Sequence, residues 1–180
     1  MFSWKKILPL VRIPLLYGIL GAVLSLTSVI LFFKFGRHPF YINPVFDLRI
    51  LLSGILLFFA LREVRDYFFG GIMFLWQGMG GCLVYFATLA VVCAIGLYAF
   101  GQYDNSFLTE YQRQGLEQIS KFNPDAIKQI GQQAVEELQK TLPTVTLTDL
   151  IKKYTFQTFV IGLFVTIIIS VILRRQPKTN

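Results

Sequence analysis

Charged residues are scarce in this sequence, and they are almost absent from its long apolar stretches. Asp, Glu, Lys and Arg make up 15% of the 180 residues, whereas apolar residues make up 54%. An average soluble domain carries about 25% charged residues. This composition excludes an intrinsically disordered chain and an ordinary cytosolic enzyme, and it predicts an integral membrane protein. The chain has no room for a conventional soluble domain of about 100 residues beside several spans.

Cysteine and histidine are also scarce, which limits metal and disulfide chemistry. Cys82 and Cys93 lie eleven residues apart in one apolar run. About 16 Å of helix separates them, so a disulfide between them is excluded, and a packing role is expected for both. The one histidine, His38, lies in a predicted loop. A zinc site or a catalytic triad would have to be built on this single histidine. We therefore predict no metal site, no cofactor and no catalytic residue.

Four apolar runs are long enough to form transmembrane helices, and they predict an all-α membrane domain, a four-helix bundle, over residues 1–180. The runs cover about residues 13–33, 46–61, 80–100 and 154–173. The first run is expected to open with Pro14, because proline suits the first turn of a helix. It is longer than a signal-peptide core and lacks a clean cleavage site, so it is predicted to be an uncleaved span.

The spans carry small residues but no ionisable residue away from their ends. Small side chains let helix backbones approach closely inside lipid, so the first and third spans are expected to pack together. The small residues concerned are Gly18, Gly21 and Ala22 in the first span, and Ala87, Ala90 and Ala94 in the third. Intramembrane ionisable residues usually mark proton and ion pathways. Their absence from the middle of the spans argues against an ion-coupled transporter in a single chain.

The basic residues predict the orientation of the chain. Four spans place both termini and the second loop on one side, which carries eight Lys and Arg against two acids. The other side carries nine against eight, mostly in a long loop that counts weakly. The compact basic flanks at the two termini therefore predict that both termini lie in the cytoplasm. These clusters flank the membrane, so we expect anionic lipid headgroups, and not nucleic acid, as their counter-charges.

Residues 104–153 form the only sizeable polar segment, which is predicted to be an extracytoplasmic helical insertion between the third and fourth spans. Apolar residues at spacings of three and four predict a helix from Ser106, as its cap, to about Phe122. The apolar stripe of this helix is Leu108, Tyr111, Gly115, Ile119 and Phe122. Asn123, followed by proline, predicts the start of a second helix that ends near Thr141.

The insertion is expected to lead directly into the last span. Thr146 or Thr148 is predicted to cap a final helix that continues without a break, with Asp149 in its first turn. The two short helices before it, in a hairpin at residues 106–142, bury too little surface to be stable alone. They must rest on lipid, on the bundle, on a second copy or on another protein.

The loop between the second and third spans carries a compact charge cluster followed by aromatic residues and glycines. Arg62 and Asp66 are four residues apart and are predicted to pair on one helix face. Gly70 and Gly71 permit a turn. The segment is typical of an interfacial turn, and the alternative is a re-entrant or lipid-headgroup-binding element. Glu63, Asp66 and Asp47 are the acids available for catalysis, but arginine–acid pairs at a span end favour electrostatic anchors.

Several stretches together resemble a bacterial family of four-span membrane proteins that is known only as a domain of unknown function. They are GILGAVLSL in the first span, R-x-x-R-D-x-x-x-G-G after the second, F-L-W-Q-G-M-G-G before the third and S-V-I-L-R-R at the end of the fourth. The resemblance covers nearly the whole chain. It implies a bacterial inner membrane, and it implies neither an activity nor functional residues.

These observations predict a non-catalytic integral membrane protein, an accessory or structural subunit that acts through protein or lipid contacts. Its expected partners are the lipid bilayer and either another protein or a second copy, bound through the hairpin at residues 106–142. The alternative is an oligomeric small transporter or channel lined by Ser and Thr side chains. An enzyme of envelope-lipid metabolism is a third and weaker hypothesis, because the sequence offers so few reactive groups.

Overall fold

The computed structural model describes residues 4–42, 48–124, 127–128 and 131–174, and over these residues the architecture is helical. In chain order the helices are α1 (Trp4–Lys34), α2 (Leu48–Glu63), α3 (Leu75–Tyr103), α4 (Ser106–Ser120), α5 (Gln132–Thr141) and α6 (Leu147–Leu173). A π-helical turn at Val64–Phe68 follows α2, and 3-10 turns lie at Pro39–Tyr41 and Leu142–Thr144. The predicted all-α class is confirmed for this part of the chain.

Three of the helices are long and apolar enough to cross a membrane. They cover Leu8–Lys34, Leu75–Tyr103 and Leu147–Leu173, with mean hydropathies of 2.2, 2.2 and 2.5. They correspond to the first, third and fourth predicted spans, so the chain is a membrane protein. The second predicted span, 46–61, corresponds to α2, and its first two residues lie outside the described part. The 16 residues of α2 extend only about 24 Å, less than a hydrocarbon core of about 30 Å.

The helices form a bundle in which α3 is central. α3 packs extensively against α1 and α6, and α1 also packs against α2, whereas α2 and α6 touch much less. Glycine residues, which have no side chain, allow α1 and α3 to approach each other closely. A Cβ atom on Gly18 would lie 2.9 Å from the carbonyl oxygen of Tyr85, and one on Gly21 would lie 2.5 Å from the Tyr85 hydroxyl. The predicted packing of the first span against the third is confirmed, with Gly18 and Gly21 as its small residues. The α3 residues nearest to these glycines are Tyr85, Thr88 and Leu89, and not the predicted Ala87, Ala90 and Ala94.

The start of α1 differs from the prediction. The helix begins at Trp4, and Pro14 lies within it and not in its first turn. Pro14 is buried, and a Cβ on Gly81 of α3 would lie 3.5 Å from its ring. Proline is tolerated inside a transmembrane helix where neighbouring helices and local adjustments compensate for the lost hydrogen bond. The apolar residues before Pro14 favour continuation of the helix.

The bundle has two ends, and α6 runs between them. At the insertion end, where α3 stops and α6 begins, Gly101 lies against Leu147. At the terminal end, where α3 begins and α6 stops, Gly78 lies against Ser170. Thr146 caps α6: its Oγ1 accepts from the Asp149 backbone N–H at 3.3 Å. The predicted continuous last helix is confirmed, with Thr146 as the cap.

The two predictions for helix boundaries within the insertion need correction. Ser106 is the first residue of α4 and not its cap; its N–H donates to the Asp104 carboxylate at 3.1 Å. The helix predicted from Asn123 to Thr141 is interrupted at Gly131, where φ is +93°. A positive φ is incompatible with a continuous right-handed helix, and α5 starts at Gln132.

Candidate functional site

The insertion rests on the bundle through one face of α4. The buried residues of α4 are Phe107, Tyr111, Gly115 and Ile119. Three of these belong to the predicted apolar stripe, but Phe107 replaces Leu108, which is only half-buried. The sequence left four possible supports for the hairpin: lipid, the bundle, a second copy or another protein. The structure shows that α4 rests on the bundle.

An aromatic cluster at the insertion end receives α4, and its centre is His38. The His38 side chain is 1% exposed. Its ring centroid lies 4.7 Å from that of Phe107 and 5.1 Å from that of Tyr111. Phe33 meets Phe107 edge-on at 5.2 Å, and Tyr41 stacks on Tyr111 at 4.9 Å. Such ring pairs contribute about 0.5–1.5 kcal/mol each beyond burial, so they hold α4 firmly.

Polar contacts fix the register of α4 on the loop that follows α1. Gln114 bridges to this loop twice: its Oε1 accepts from the His38 backbone N–H at 2.9 Å, and its Nε2 donates to the Gly36 carbonyl at 3.0 Å. The Tyr41 hydroxyl donates to the Tyr111 carbonyl at 3.0 Å. Lys153 of α6 donates to the Tyr111 hydroxyl, also at 3.0 Å. The insertion is thus tied to both α6 and the first loop.

His38 is held in its neutral form by its surroundings. Burial lowers the pKa of His38 from 6.5 to about 4, and the Arg49 charge adds to this effect, against the opposing influence of the Phe107 backbone and the Glu110 carboxylate. The Phe40 backbone N–H donates to Nδ1 at 3.4 Å, which places the proton of the neutral ring on Nε2. Nε2 is buried and has no well-formed hydrogen bond to any described residue. A second proton here would place a charge among aromatic rings.

The outward side of α4 is highly charged. Arg113 pairs with Glu110 at 2.6 Å and with Glu117 at 3.2 Å, and Lys121 pairs with Glu117 at 2.6 Å. The Arg113 and Gln114 hydrogen bonds lower the pKa of Glu110 to about 2. Glu110 therefore stays ionised over the physiological pH range, and the ion pairs present a polar surface to the solvent.

A half-open cavity of about 40 Å³, lined by both polar and apolar side chains, lies inside the bundle near the aromatic cluster. Its polar lining residues are Ser25 of α1, Arg49 and Ser53 of α2, and Tyr154, Gln157 and Thr158 of α6. The cavity has room for two or three water molecules. The Arg49 guanidinium carbon lies 5.8 Å from the ring centroid of Phe40 and 5.3 Å from that of Tyr154. Cation–π contact of this kind stabilises a cation away from bulk water.

Two further hydroxyls lie buried in the bundle. The Tyr85 hydroxyl and the Ser28 hydroxyl are without a well-formed hydrogen bond to any residue in the described ranges, and Tyr85 is 0% exposed. Ser53, beside Tyr85, also lines the cavity. Unsatisfied buried hydroxyls are costly, so this region of the bundle is suited to bound water or another polar ligand.

The predicted charge cluster lies at the terminal end. Arg62 pairs with Asp66 at 3.5 Å, as predicted, and Arg65 pairs with Asp66 more closely, at 2.7 Å. The Arg65 hydrogen bond lowers the pKa of Asp66. Glu63 accepts a hydrogen bond from the Tyr17 hydroxyl of α1 at 2.9 Å. Glu63 and Asp66 thus contact different groups and do not form a paired acid site.

The glycines after this cluster form the predicted turn. Gly70 and Gly71 have φ values of +61° and +81°, in the left-handed region that glycine enters without steric cost. Asp47, the third candidate acid, lies outside the described residues. Among the residues that are described, no group of three or more His, Cys, Asp or Glu is placed to hold a metal ion.

The cavity could not be found from the sequence, because none of its polar lining residues belongs to a recognisable motif. Arg49 lies in the first turn of α2, and the chain folds its side chain inward over Tyr154. The signal available in the sequence was weak: Arg49 and Ser53 are four residues apart, so they share a helix face. Nothing in the sequence indicates that Gln157 and Thr158 lie opposite them.

Residues 15–175 match a family whose description is Protein of unknown function (DUF4199). The chain belongs to this family. The matched residues include those that line the cavity and those that form α4. The resemblance drawn from the sequence is confirmed at the level of a domain of unknown function. No curated protein and no solved structure matches the chain.

Proposed function

We propose that this protein is a non-catalytic accessory or structural subunit of a bacterial inner membrane that acts through protein or lipid contacts. The observation that carries this proposal is the docked insertion. α4 is fixed to the bundle by His38, Tyr41 and Gln114, and its opposite side displays an ordered set of charges. A partner would meet a surface whose shape is already set, which lowers the entropic cost of binding.

We further propose four spans with both termini in the cytoplasm. α2 alone is short, but the π-helical turn at Val64–Phe68 continues it. Together they give 21 consecutive helical residues, from Leu48 to Phe68, about 32 Å of helix, which would cross the roughly 30 Å hydrocarbon core with the charge cluster at its surface. The basic flanks at the terminal end support its placement in the cytoplasm.

Cysteine labelling tests this topology. Gln118 is exposed on α4, whereas the native cysteines, Cys82 and Cys93, are buried. We therefore expect Gln118→Cys to react with a membrane-impermeant maleimide in intact cells, and the parent protein to react weakly. Labelling of Gln118→Cys only after cell lysis would place the insertion in the cytoplasm and refute the proposed topology.

In-cell crosslinking tests the docking surface. A photo-crosslinking amino acid placed at Gln118 faces outward, and the same group placed at the adjacent Ile119, which is 9% exposed, faces the bundle. We expect a second protein, or a second copy, to be captured from position 118 and not from position 119. Native mass spectrometry then gives the stoichiometry. A protein that stays monomeric and yields no product from position 118 would contradict the proposal.

The hydroxyl groups that line the cavity support an alternative function, an oligomeric small transporter or channel. Ser25, Ser53 and Thr158 provide hydroxyl groups inside the bundle, as a path for a small polar solute requires. Reconstituted protein would then raise solute flux in liposomes above that of empty vesicles, and Ser53→Leu would abolish the increase. Flux equal to that of empty vesicles would exclude this alternative.

A further inference from the structure

α2 is the return segment between two helices that run in the same direction. Gly18 of α1 lies against Tyr85 of α3. Farther along both helices, Leu26 of α1 lies against Gly96 of α3. Both helices therefore run from the terminal end to the insertion end, and α2, which lies between them in the chain, runs back. A membrane that α1 and α3 cross is therefore crossed by α2 as well.

The apolar stretch of α2 is much shorter than those of α1 and α6. Charged residues bound each stretch, and they are Arg12 and Lys34 on α1, Lys153 and Arg174 on α6, and Arg49 and Arg62 on α2. At 1.5 Å of rise per residue, the members of these pairs are about 33, 32 and 20 Å apart along the helix axes. The first two distances match a hydrocarbon core of about 30 Å, whereas the third is about 10 Å shorter. The helix and its π-helical turn are long enough to cross, so only the apolar stretch is short.

Each end of this short stretch borders a polar hollow. At the insertion end, the half-open cavity is lined by Ser53 of α2 and Gln157 of α6. At the terminal end, an open cleft of about 690 Å³ is lined by Arg62, Glu63 and Asp66. The cleft has room for a phospholipid headgroup and contains both acidic and basic groups, so it suits zwitterionic and anionic headgroups alike.

An apolar groove joins the cavity to the cleft. Ile50 lines both the groove and the cavity, and Phe59 lines both the groove and the cleft. Ile55 and Phe59 are 46% and 48% exposed, so in a membrane the groove faces the acyl chains of lipids. From Ser53 to Arg62 the apolar part of this path follows nine residues of helix, about 14 Å.

A short apolar stretch changes the bilayer beside it. A bilayer becomes thinner next to a helix whose apolar stretch is too short, and charged groups at membrane depth draw water and headgroups inward. Neither effect requires an arginine without a partner, because a paired charge is also costly to place in hydrocarbon. Along α2 the headgroups of the two leaflets are therefore separated by an apolar path of about 14–20 Å, against about 30 Å elsewhere.

We propose that phospholipids pass between the two leaflets along the α2 face. The headgroup moves from the cleft at Arg62, over the apolar groove, to the open side of the cavity at Ser53, while the acyl chains stay in lipid. This exchange is passive, since no bond forms or breaks. The inference rests on the proposed function only for the four-span topology. If Gln118→Cys is labelled as expected and lipids do not exchange, this inference fails and the proposed function stands.

A dithionite assay on the purified full chain in liposomes tests the proposal. The liposomes carry a trace of phosphatidylethanolamine with a nitrobenzoxadiazole dye on its acyl chain, in both leaflets, and dithionite added outside reduces only the dye in the outer leaflet. With protein we expect nearly all the fluorescence to be lost, and without protein only the share of the outer leaflet. Equal loss in both samples overturns the proposal. A sugar with the same dye, sealed inside the liposomes, should stay fluorescent. Its loss at the rate of the lipid signal would indicate a pore and would also overturn the proposal.

A matched pair of double variants tests the path itself. Ser53→Ala with Gln157→Leu extends the apolar path to Arg49, by about 6 Å, and should slow exchange about tenfold, because each added ångström of mismatch carries a cost. Thr27→Val with Thr88→Val removes two polar groups from α1 and α3, and this variant should exchange lipids like the parent protein. Equal rates in the two variants overturn the assignment to α2. If the first variant fails to fold, the parent protein decides in bilayers with longer acyl chains, where exchange should slow and an unchanged rate overturns the proposal.

Discussion

Acid should loosen the contact between α4 and the bundle, because protonation of His38 would place a positive charge in a buried aromatic cluster. The folded pKa of about 4 lies below the ordinary value of 6.5. The neutral ring therefore contributes stability that is fully present above pH 6.5 and is lost as the pH falls toward 4. The difference corresponds to about 3 kcal/mol at pH 4. If the whole effect falls on α4, its opening becomes about a hundredfold more frequent.

Glu110, Arg49 and Tyr41, which lie near His38, keep their protonation states between pH 6.5 and pH 4. Glu110 has a pKa of about 2, and its carboxylate stays ionised down to pH 4. Arg49 stays positive, and burial raises the pKa of Tyr41, so the phenol stays neutral. A new proton would go to Nδ1 and break its hydrogen bond from the Phe40 backbone N–H.

Hydrogen exchange measured by mass spectrometry provides the assay. The amides of α4 are compared with those of α3 in the same sample, at pH 7.5 and at pH 4. His38→Phe keeps an aromatic ring and cannot be protonated, so the ratio of the parent to this variant at each pH removes the intrinsic pH dependence of exchange. His38→Gln provides a second neutral side chain. Identical acid responses in the parent and in both variants would refute the reasoning.

Three further predictions concern packing and capping. Gly18→Ala should destabilise the bundle by about 1–3 kcal/mol, since the new Cβ would meet the Tyr85 carbonyl oxygen at 2.9 Å; Gly54→Ala, in open space, should leave the melting temperature in detergent unchanged or raise it. Thr146→Ala should cost about 1 kcal/mol through the lost helix cap, visible as faster exchange in the first turn of α6. Gly115→Val should release α4, because the added side chain would meet the Tyr41 hydroxyl; limited proteolysis should then cleave the insertion while the bundle stays intact, and an unchanged cleavage pattern would count against this contact.

Much of the helical architecture was predictable, because in lipid the apolar run and the helix nearly coincide. The three long helices, the Thr146 cap and the packing through Gly18 and Gly21 follow from hydropathy, spacing and side-chain size. The interruption at Gly131 was not predicted, since an isolated glycine in a helical pattern permits either continuation or a break. The position of Pro14 was predicted wrongly, because a membrane tolerates an internal proline that a soluble helix resists.

The candidate site was much less predictable than the fold. His38 and Arg49 were each single residues without a motif, and the sequence indicated neither burial nor neighbours for them. Their environment comes from contacts between residues far apart in the chain, such as Arg49 with Tyr154 and His38 with Phe107. Spacing rules report what shares a helix face, and they contain no information about which helices meet.

The unbroken helix α6 connects the two ends of the bundle mechanically. Its 27 residues extend about 40 Å, from contacts with the docked insertion to contacts with the start of α3. At one end Lys153 holds Tyr111, and at the other Ser170 lies against Gly78 and within 3.6 Å of the Cys82 sulfur. One helix thus makes contacts at both ends of the bundle, so a tilt of α6 would disturb its packing at both ends together.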